Sequence, residues 1–166
     1  MLYYRYTKTN INSPRLIMRL TQFTDYSLRV LIYLALHPEE RVTIDQLTQA
    51  YDVSRHHVRS VVHKLAKLGY IESMQGKGGG VTLAYKPAEI SIREVVENTE
   101  NDFYIVECFN PDGNACPIEP LCILKQALSE ASKSFLKTLE GYSIEDLIRN
   151  KKGQLKDLLV GTGMHE

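Results

Sequence analysis

All three cysteines of this 166-residue chain lie in one short loop. They are Cys108, Cys116 and Cys122, with seven and then five residues between them. Thiolates are soft ligands that suit iron-sulphur clusters or zinc. Zinc sites usually contain a tight Cys-x-x-Cys pair, which is missing here, and one disulfide would leave a third thiol over. The spacing therefore favours a cluster, with a zinc site, redox-active thiols and cysteines of no special function as the alternatives.

The residues around the cysteines indicate a shaped loop rather than a stretch of helix. Proline lacks an amide donor and glycine tolerates unusual backbone angles, so both interrupt regular structure. The interrupting residues are Pro111, Asp112, Gly113, Pro117 and Pro120. In a buried helix, three cysteines would be ordinary core residues. Their position in such a loop supports a role as ligands.

A second group of residues has the chemistry to bind nucleic acid. Arg55, His56, His57 and Arg59 occupy the first turns of a helix that Ser54 can cap. The first residues of a recognition helix reach base edges in the major groove, where arginine can bind guanine through two hydrogen bonds. The other candidates for DNA contact are Ser54, Lys64 and Lys77, which suit phosphates, and Gly78 and Gly79 in the adjoining glycine-rich loop. The alternative is a solvated helix face, since surface helices commonly carry Lys and Arg.

These residues must be positioned by regular secondary structure. The hydrophobic periodicity predicts three consecutive helices in the first part of the chain. Apolar residues recur at helical intervals from Thr21 to Leu36, and His37-Pro38 ends that segment. Thr43 can cap a second helix, and a third runs from Ser54 to Gly69. A helix, a short turn and a capped helix are typical of a helix-turn-helix.

A β-hairpin is expected from Tyr70 to Tyr85, where two β-prone runs flank a loop with four glycines. A hairpin directly after a helix-turn-helix is a wing. The sequence therefore predicts a mainly α fold with a small β wing, in which a winged helix-turn-helix domain is followed by a long dimerisation helix.

The long helix is predicted from apolar residues at spacings of three and four between Leu121 and Leu139, and it ends at Gly141. Its apolar stripe is longer than the small winged domain can cover. A second copy of the chain is the expected cover, which implies a two-fold homodimer.

The predicted organisation has five parts. They are a leader, 1–17, expected to be disordered with translation starting at Met18; a winged helix-turn-helix domain, 18–88; a connecting helix and cysteine loop, 89–120; a dimerisation helix and C-terminal helix, 121–150; and a flexible tail, 151–166.

Charge is unevenly distributed although the formal net charge is zero. Residues 53–80 carry five basic side chains against one acidic, whereas residues 89–119 carry eight acidic against one basic. Only the first of these regions suits a polyanion such as DNA. The longest apolar run, Val30 to Leu36, is too short to cross a membrane. An odd number of thiols and no secretory signal favour a reducing, cytoplasmic location.

Five segments occur in an order that is specific to one family. They are "MRLTQFTDYSLRVLIYLAL" from Met18, "VSRHHVRSVVHKLAKLGYI", "GKGGG", the three-cysteine loop and "LKQAL". In these segments, from Met18 to about Ile148, the chain resembles the NsrR-type nitric-oxide-sensing repressors of the iron-sulphur winged-helix family that also includes IscR. The resemblance implies a homodimer on an inverted-repeat operator. It also implies a cluster, 2Fe-2S or 4Fe-4S, whose attack by nitric oxide releases promoters of genes that remove nitric oxide and its products.

The resemblance also suggests a fourth ligand, because three cysteines leave one position open on a cluster that normally has four protein ligands. Some members of the family fill it with an aspartate from the "FTD" stretch of the other subunit, and Asp25 stands there in this chain. The alternative is that Asp25 is a surface charge or a local cap. IscR-like members use a histidine three residues after the last cysteine, where this chain has Lys125. Lys125 therefore disfavours the IscR-like arrangement.

Two other functions compete with this one. A regulator of the same fold could respond to another signal, through a cluster, a metal or the redox state of the thiols. An enzyme or adaptor could use the winged module for protein contact, but no nucleophile-base arrangement is legible and no "GKS" or "GKT" follows the glycines. The sequence therefore predicts a DNA-binding regulator that is not an enzyme.

Overall fold

The computed structural model describes residues 19–112 and 116–161 of the chain. Within that part, the elements in chain order are α1 (Gln22–Leu36), α2 (Ile44–Tyr51), α3 (Arg55–Lys67), β1 (Ile71–Met74), β2 (Gly80–Leu83), α4 (Ile92–Thr99), α5 (Ile123–Glu140), α6 (Ile144–Ile148) and α7 (Lys152–Gly161). The leader, 1–17, for which disorder is predicted, lies outside the described residues, as do residues 162–166.

The first three helices begin and end where short-range chemistry dictates. The side chains of Thr21 and Ser54 each accept a hydrogen bond from the amide three residues later, at the starts of α1 and α3. Thr43 and Gln46 form a reciprocal capping box at the start of α2. Gly69 follows α3 with a φ of +81°, a backbone angle that glycine adopts without strain. The predicted boundaries of the helix-turn-helix agree with these observations.

The wing is tied to the helices that precede it. Strands β1 and β2 pair antiparallel, with Ile71 opposite Leu83. Val42, in the connection between α1 and α2, exchanges two backbone hydrogen bonds with Val81 of β2, at 3.0 and 2.8 Å. The hairpin is therefore held beside the helix-turn-helix by a third extended segment.

A single apolar core joins α1, α2, α3, the wing, α4 and α6. Its fully buried large residues are Leu31, Leu34, Leu36, Leu47, Leu65, Ile90, Ile144, Ile148, Val42, Val61, Val95 and Val96. The starts of α4 and α6 are joined by two backbone hydrogen bonds, from Ile92 to Tyr142 and from Ile144 to Ile90, both 3.0 Å. The core of the winged domain thus extends beyond residue 88 and includes α4 and α6.

A flexible tail is predicted for residues 151–166, of which the structure describes those up to 161. Residues 152–161 form helix α7, and Leu155 and Leu159 pack against the core. The segment is largely polar, but its leucines recur at helical spacing. In the described residues, no helix is long and apolar enough to cross a membrane.

Candidate nucleic-acid interface and cysteine site

Helix α3 presents its predicted DNA-binding residues to solvent. Arg55, His56, His57 and Arg59 are exposed, as is the cap Ser54. The opposite face of the same helix is buried, through Val58, Val61, Val62 and Leu65. Because the apolar stripe fixes the rotation of the helix against the core, its first turns must project the basic residues outward. Lys64 lies further along the helix and is half-buried.

Arg55 has an acidic partner on the neighbouring helix. Its guanidinium forms an ion pair with the carboxylate of Asp45, in the first turn of α2, and both side chains are more than half exposed. Exposed pairs of this kind stabilise a protein little, so the guanidinium can exchange Asp45 for another acceptor at small cost.

The tip of the wing consists of exposed Lys77 and the glycines that follow it. Gly78 has a φ of +78°, which disfavours other residues there. A Cβ atom on Gly79 would lie 2.4 Å from the carbonyl oxygen of Met74, so no larger residue fits without a shift of the backbone. The glycines shape a tight tip that projects the Lys77 ammonium. Their direct contact with DNA stays a prediction.

Asp25 forms an ion pair within its own helix. Its Oδ2 lies 2.8 Å from Nη2 of Arg29, one turn along α1, and both side chains are nearly half exposed. The alternative in which Asp25 is a surface charge describes this arrangement. Its role as a ligand from the partner subunit stays a prediction.

Arg29 connects Asp25 to the recognition helix through aromatic rings. Its guanidinium lies 5.8 Å from the ring centres of both Tyr26 and Tyr51. The ring of Tyr26 lies 5.9 Å from that of His57 on α3. Tyr51 donates a hydrogen bond to the backbone carbonyl of Arg29 at 3.0 Å, and burial raises the pKa of Tyr51, so its hydroxyl stays a donor. These contacts run from the start of α1 to the exposed turn of α3.

The three cysteines share a loop but are not gathered around one point. Cys108 and Cys122 are half-buried and form no disulfide, and Cys116 is exposed. Among residues 19–112 and 116–161, no three His, Cys, Asp or Glu side chains are close enough together to hold a metal ion. Residues 113–115, between the first two cysteines, lie outside the described part.

The turn from Cys116 to Cys122 is hydrogen-bonded through Glu119. The amide of Glu119 donates to the carbonyl of Cys116 at 3.2 Å, and the amide of Cys122 donates to the carbonyl of Glu119 at 3.2 Å. Cys122 is the N-cap of α5, where its Sγ accepts the amide of Lys125 at 3.4 Å. The N-terminus of a helix also favours a nearby negative charge. The donor types and the helix terminus therefore fit a soft metal group, although the loop is not closed around one.

Lys125 lies beside two of the cysteines. Its ammonium forms an ion pair with the carboxylate of Glu119. The hydrogen bond to Glu119 raises the pKa of Lys125, and the charges of Cys108 and Cys122 add to that effect. The side chain therefore remains an ammonium, which has no lone pair and cannot serve as the fourth ligand. No sequence pattern predicts the Lys125–Glu119 pair, because the pair spans a turn and a helix start rather than a helical repeat.

Helix α5 is exposed at the end that follows the cysteine loop. The side chains of Leu121, Ile123 and Leu124 are 91%, 80% and 65% exposed. Beside them is an open concavity of about 460 Å³, lined in part by Cys122 and Lys125. No residue of α5 is buried in this chain, and only Leu139, near the other end, packs against the core. The predicted apolar stripe is thus present and largely uncovered.

Comparisons with known proteins agree on one family. A family sequence model described as "Rrf2: Iron-dependent Transcriptional regulator" matches residues 20–150. The HTH-type transcriptional regulator NsrR of Bacillus subtilis (strain 168) is 46% identical over 140 residues, which cover 84% of this chain and 96% of that protein. Its namesake from Shouchella clausii (strain KSM-K16) is 46% identical over 135 residues, covering 81% and 91%.

Two solved structures are similar in fold. T. potens IscR has a TM-score of 0.65 at 19% identity, covering 80% of this chain and 88% of that one. CymR of B. subtilis, titled the global cysteine regulator, has a TM-score of 0.56 at 23% identity, covering 78% and 95%. At these identities the similarity shows the fold alone.

The comparisons confirm two expectations from the sequence. The fold class, mainly α with a small β wing, is that of the structural neighbours. The resemblance to NsrR-type regulators agrees with the names of the relatives, which are transcriptional regulators and not enzymes. Because the family model spans most of the sequence and relatives above 40% identity cover more than four-fifths of it, the chain belongs to the Rrf2 family of iron-dependent transcriptional regulators.

Proposed function

We propose that this chain is a homodimeric, cytoplasmic repressor that binds an inverted-repeat operator and responds to nitric oxide through an iron-sulphur cluster. The observation that carries the proposal is the position of the cysteines. The loop that contains all three ends at Cys122, the N-cap of the exposed α5, in a chain 46% identical to a regulator named NsrR.

The proposed ligands are Cys108, Cys116, Cys122 and Asp25 of the partner subunit. A 2Fe-2S or 4Fe-4S group bound there would supply iron atoms that react with nitric oxide. A carboxylate oxygen is a harder and weaker ligand for such iron than thiolate. The position held by Asp25 is therefore the one at which a small diatomic molecule would enter first.

Asp25 has two possible partners in this proposal. Within its own chain the carboxylate pairs with Arg29 at 2.8 Å, and in the dimer it would turn toward the cysteines of the other subunit. Release from the second partner returns Asp25 to Arg29. Since Arg29 lies over Tyr26, and Tyr26 packs against His57, the exchange alters contacts that reach the recognition helix.

The dimer would convert this local change into a change of DNA affinity. Two copies of α3 must enter successive major grooves together, so a small change in their relative position weakens binding. The uncovered apolar end of α5 supports pairing of two copies along this helix. A coupling of about 1–3 kcal/mol would change operator occupancy roughly 5- to 150-fold.

A second candidate is a regulator of the same fold with another signal, metal-based or thiol-based. Two observations favour its thiol-based form: among the described residues the cysteines are not assembled into a metal centre, and Asp25 already has a partner in Arg29. In that case the cysteines would respond directly to oxidation.

Anaerobic reconstitution distinguishes the two candidates. We expect a visible chromophore with bound iron and sulphide, operator binding by the loaded protein, and loss of that binding after nitric oxide. The Asp25→Ala variant, also loaded, should differ from the unmodified protein in operator affinity or in its rate of reaction with nitric oxide. A colourless, iron-free protein that still binds its operator would contradict the proposal and favour the second candidate.

A further inference from the structure

An ion pair crosses the turn that carries the second and third cysteines. The ammonium of Lys125 contacts the carboxylate of Glu119, and the two side chains are only 33% and 36% exposed. The backbone of the same two residues is engaged with the cysteines: Glu119 bonds to Cys116 and Cys122, and the amide of Lys125 bonds to Sγ of Cys122. Backbone and side chains thus fix this pair relative to two of the three thiols.

The charges of two cysteines contribute to the raised pKa of Lys125, after the hydrogen bond to Glu119. Both Cys108 and Cys122 are near enough to influence the Lys125 ammonium electrostatically. Lys133 and Lys137, on the same helix, are exposed and lie about 12 and 18 Å further along it, at 1.5 Å per residue. Lys125 is therefore the lysine of α5 that lies nearest to the cysteines.

We propose that Lys125 is a positioning residue that holds a fixed positive charge against the thiolates of Cys108 and Cys122, and that Glu119 orients this charge and partly offsets it. The inference rests on the proposed function. An iron-sulphur group held by thiolates becomes more negative on reduction, so a nearby cation favours the reduced form and raises the midpoint potential, whereas a nearby anion lowers it.

This role differs from that of a simple structural latch. If the ion pair only stabilised the turn, loss of Lys125 and loss of Glu119 would destabilise the site in the same way. Any change in midpoint potential would then have the same sign in both single variants. A fixed charge predicts opposite signs for the two single variants. Removing Lys125 removes the cation, whereas removing Glu119 leaves that cation without its counter-charge.

The test uses the full chain, reconstituted anaerobically, with Lys125→Gln, Glu119→Gln, the double variant and Lys133→Gln as the matched control. The one-electron midpoint potential is measured by spectroelectrochemical titration at equal iron and sulphide content. We expect a lower potential for Lys125→Gln, a higher one for Glu119→Gln, an intermediate value for the double variant and no shift for Lys133→Gln. Shifts of the same sign in both single variants, or none in either, would overturn the charge role of Lys125.

A second measurement, on the metal-free protein, tests the part assigned to Glu119. We expect faster amide hydrogen exchange across residues 119–126 in Glu119→Gln and unchanged exchange in Lys133→Gln. Unchanged exchange in Glu119→Gln would overturn its orienting role. If the unmodified protein takes up no iron and sulphide, the proposed function is overturned and the charge role falls with it. If the unmodified protein takes up iron and sulphide normally but the variants do not differ in midpoint potential, only the charge role of Lys125 is overturned.

Discussion

The winged domain and the helix that follows the cysteine loop differ in how completely one chain folds them. In the winged domain, α1, α2, α3, α4 and α6 all bury apolar residues in a common core. Helix α5 is the longest helix in the described part of the chain, yet buries none. Leu31 on α1 is fully buried, whereas Leu121, beside α5, is 91% exposed.

This difference separates the part that is proposed to contact DNA from the part that is proposed to detect a signal. A basic recognition helix with a buried apolar face needs nothing beyond its own chain to hold its shape. The first half of α5 has exposed apolar side chains, and the cysteines of the preceding loop do not form a metal-binding group in the described residues. We infer that the second region takes its final form only with a second copy of the chain and a bound metal group, which makes it the more readily switched of the two.

The largest expected effect is on the free energy of unfolding, and it should distinguish a buried leucine of the winged domain from an exposed leucine of α5. Leu31→Ala removes a fully buried side chain and should lower the free energy of unfolding by about 2–5 kcal/mol. Leu124→Ala should leave the unfolding of the single chain almost unchanged but weaken the dimer. Urea denaturation measures the first effect, and sedimentation over a range of protein concentrations measures the second. A loss of similar size in both variants, independent of concentration, would show that α5 packs within its own chain.

The next largest effect concerns DNA binding by the winged domain. Arg55→Ala should weaken operator binding by about 1–3 kcal/mol and relax specificity at one base position, because arginine contacts base edges. Lys77→Ala should weaken binding to all sequences alike and reduce the salt dependence by about one counterion. Fluorescence anisotropy with operator and scrambled DNA at several salt concentrations separates the two variants. Lys133→Ala is the control, and equal losses on both DNAs for Arg55→Ala would assign Arg55 to phosphate contact.

The sequence predicts the winged domain well because its determinants are local. Thr43 and Ser54 cap helices through residues three positions away, and Gly69 ends α3 through its own backbone angle. Apolar periodicity then fixes which face of α3 is buried. For the same reason, exposure of Arg55 and Arg59 could be predicted without knowledge of any long-range contact.

The contacts that escaped prediction join distant or irregular segments. The carboxylate of Glu100 accepts a hydrogen bond from the amide of Thr21 at 2.7 Å, across 79 positions of sequence. The Lys125–Glu119 pair crosses a turn, and the leucines of α7 lie in a segment that is otherwise largely polar. Asp25 is predicted as a ligand from its place in a familiar motif, but its pairing with Arg29 depends on side-chain geometry.

A smaller effect on stability is expected at the helix caps, and it should differ between the caps of α2 and α5. Thr43→Ala removes the bond that the Thr43 hydroxyl accepts from the Gln46 amide, keeps the bond from the Thr43 amide to the Gln46 side chain, and should cost about 1 kcal/mol. Cys122→Ser should cost the metal-free protein almost nothing, because a serine hydroxyl at the N-cap of α5 can replace the sulphur as acceptor. Thermal unfolding of the metal-free variants measures both. The same Cys122→Ser protein should fail to take up iron, and normal uptake would remove Cys122 from the proposed ligands.

The smallest effect on stability should come from the joint where the two regions meet. Arg93 on α4 donates to Glu97 at 3.2 Å and to Glu140, the last residue of α5, at 3.0 Å. Ser91, just before α4, and Ser143, just after α5, form a β-bridge. Together with the Arg93–Glu140 ion pair, this bridge holds the C-terminal end of α5 against α4. Because exposed ion pairs stabilise little, Arg93→Gln should cost less than about 1 kcal/mol in unfolding.

We expect the same joint to set the angle between α5 and the winged domain, and in a dimer the distance between the two copies of α3. Arg93→Gln should consequently reduce discrimination between operators whose half-sites differ in spacing by one base pair, with little loss on the best spacing. Lys133→Gln, which removes an exposed charge of α5 about 10 Å along the helix from Glu140, is the matched control. Undiminished discrimination in Arg93→Gln would mean that the β-bridge alone fixes the angle. Reduced discrimination would show that the joint transmits geometry from the dimerisation helix to the winged domain.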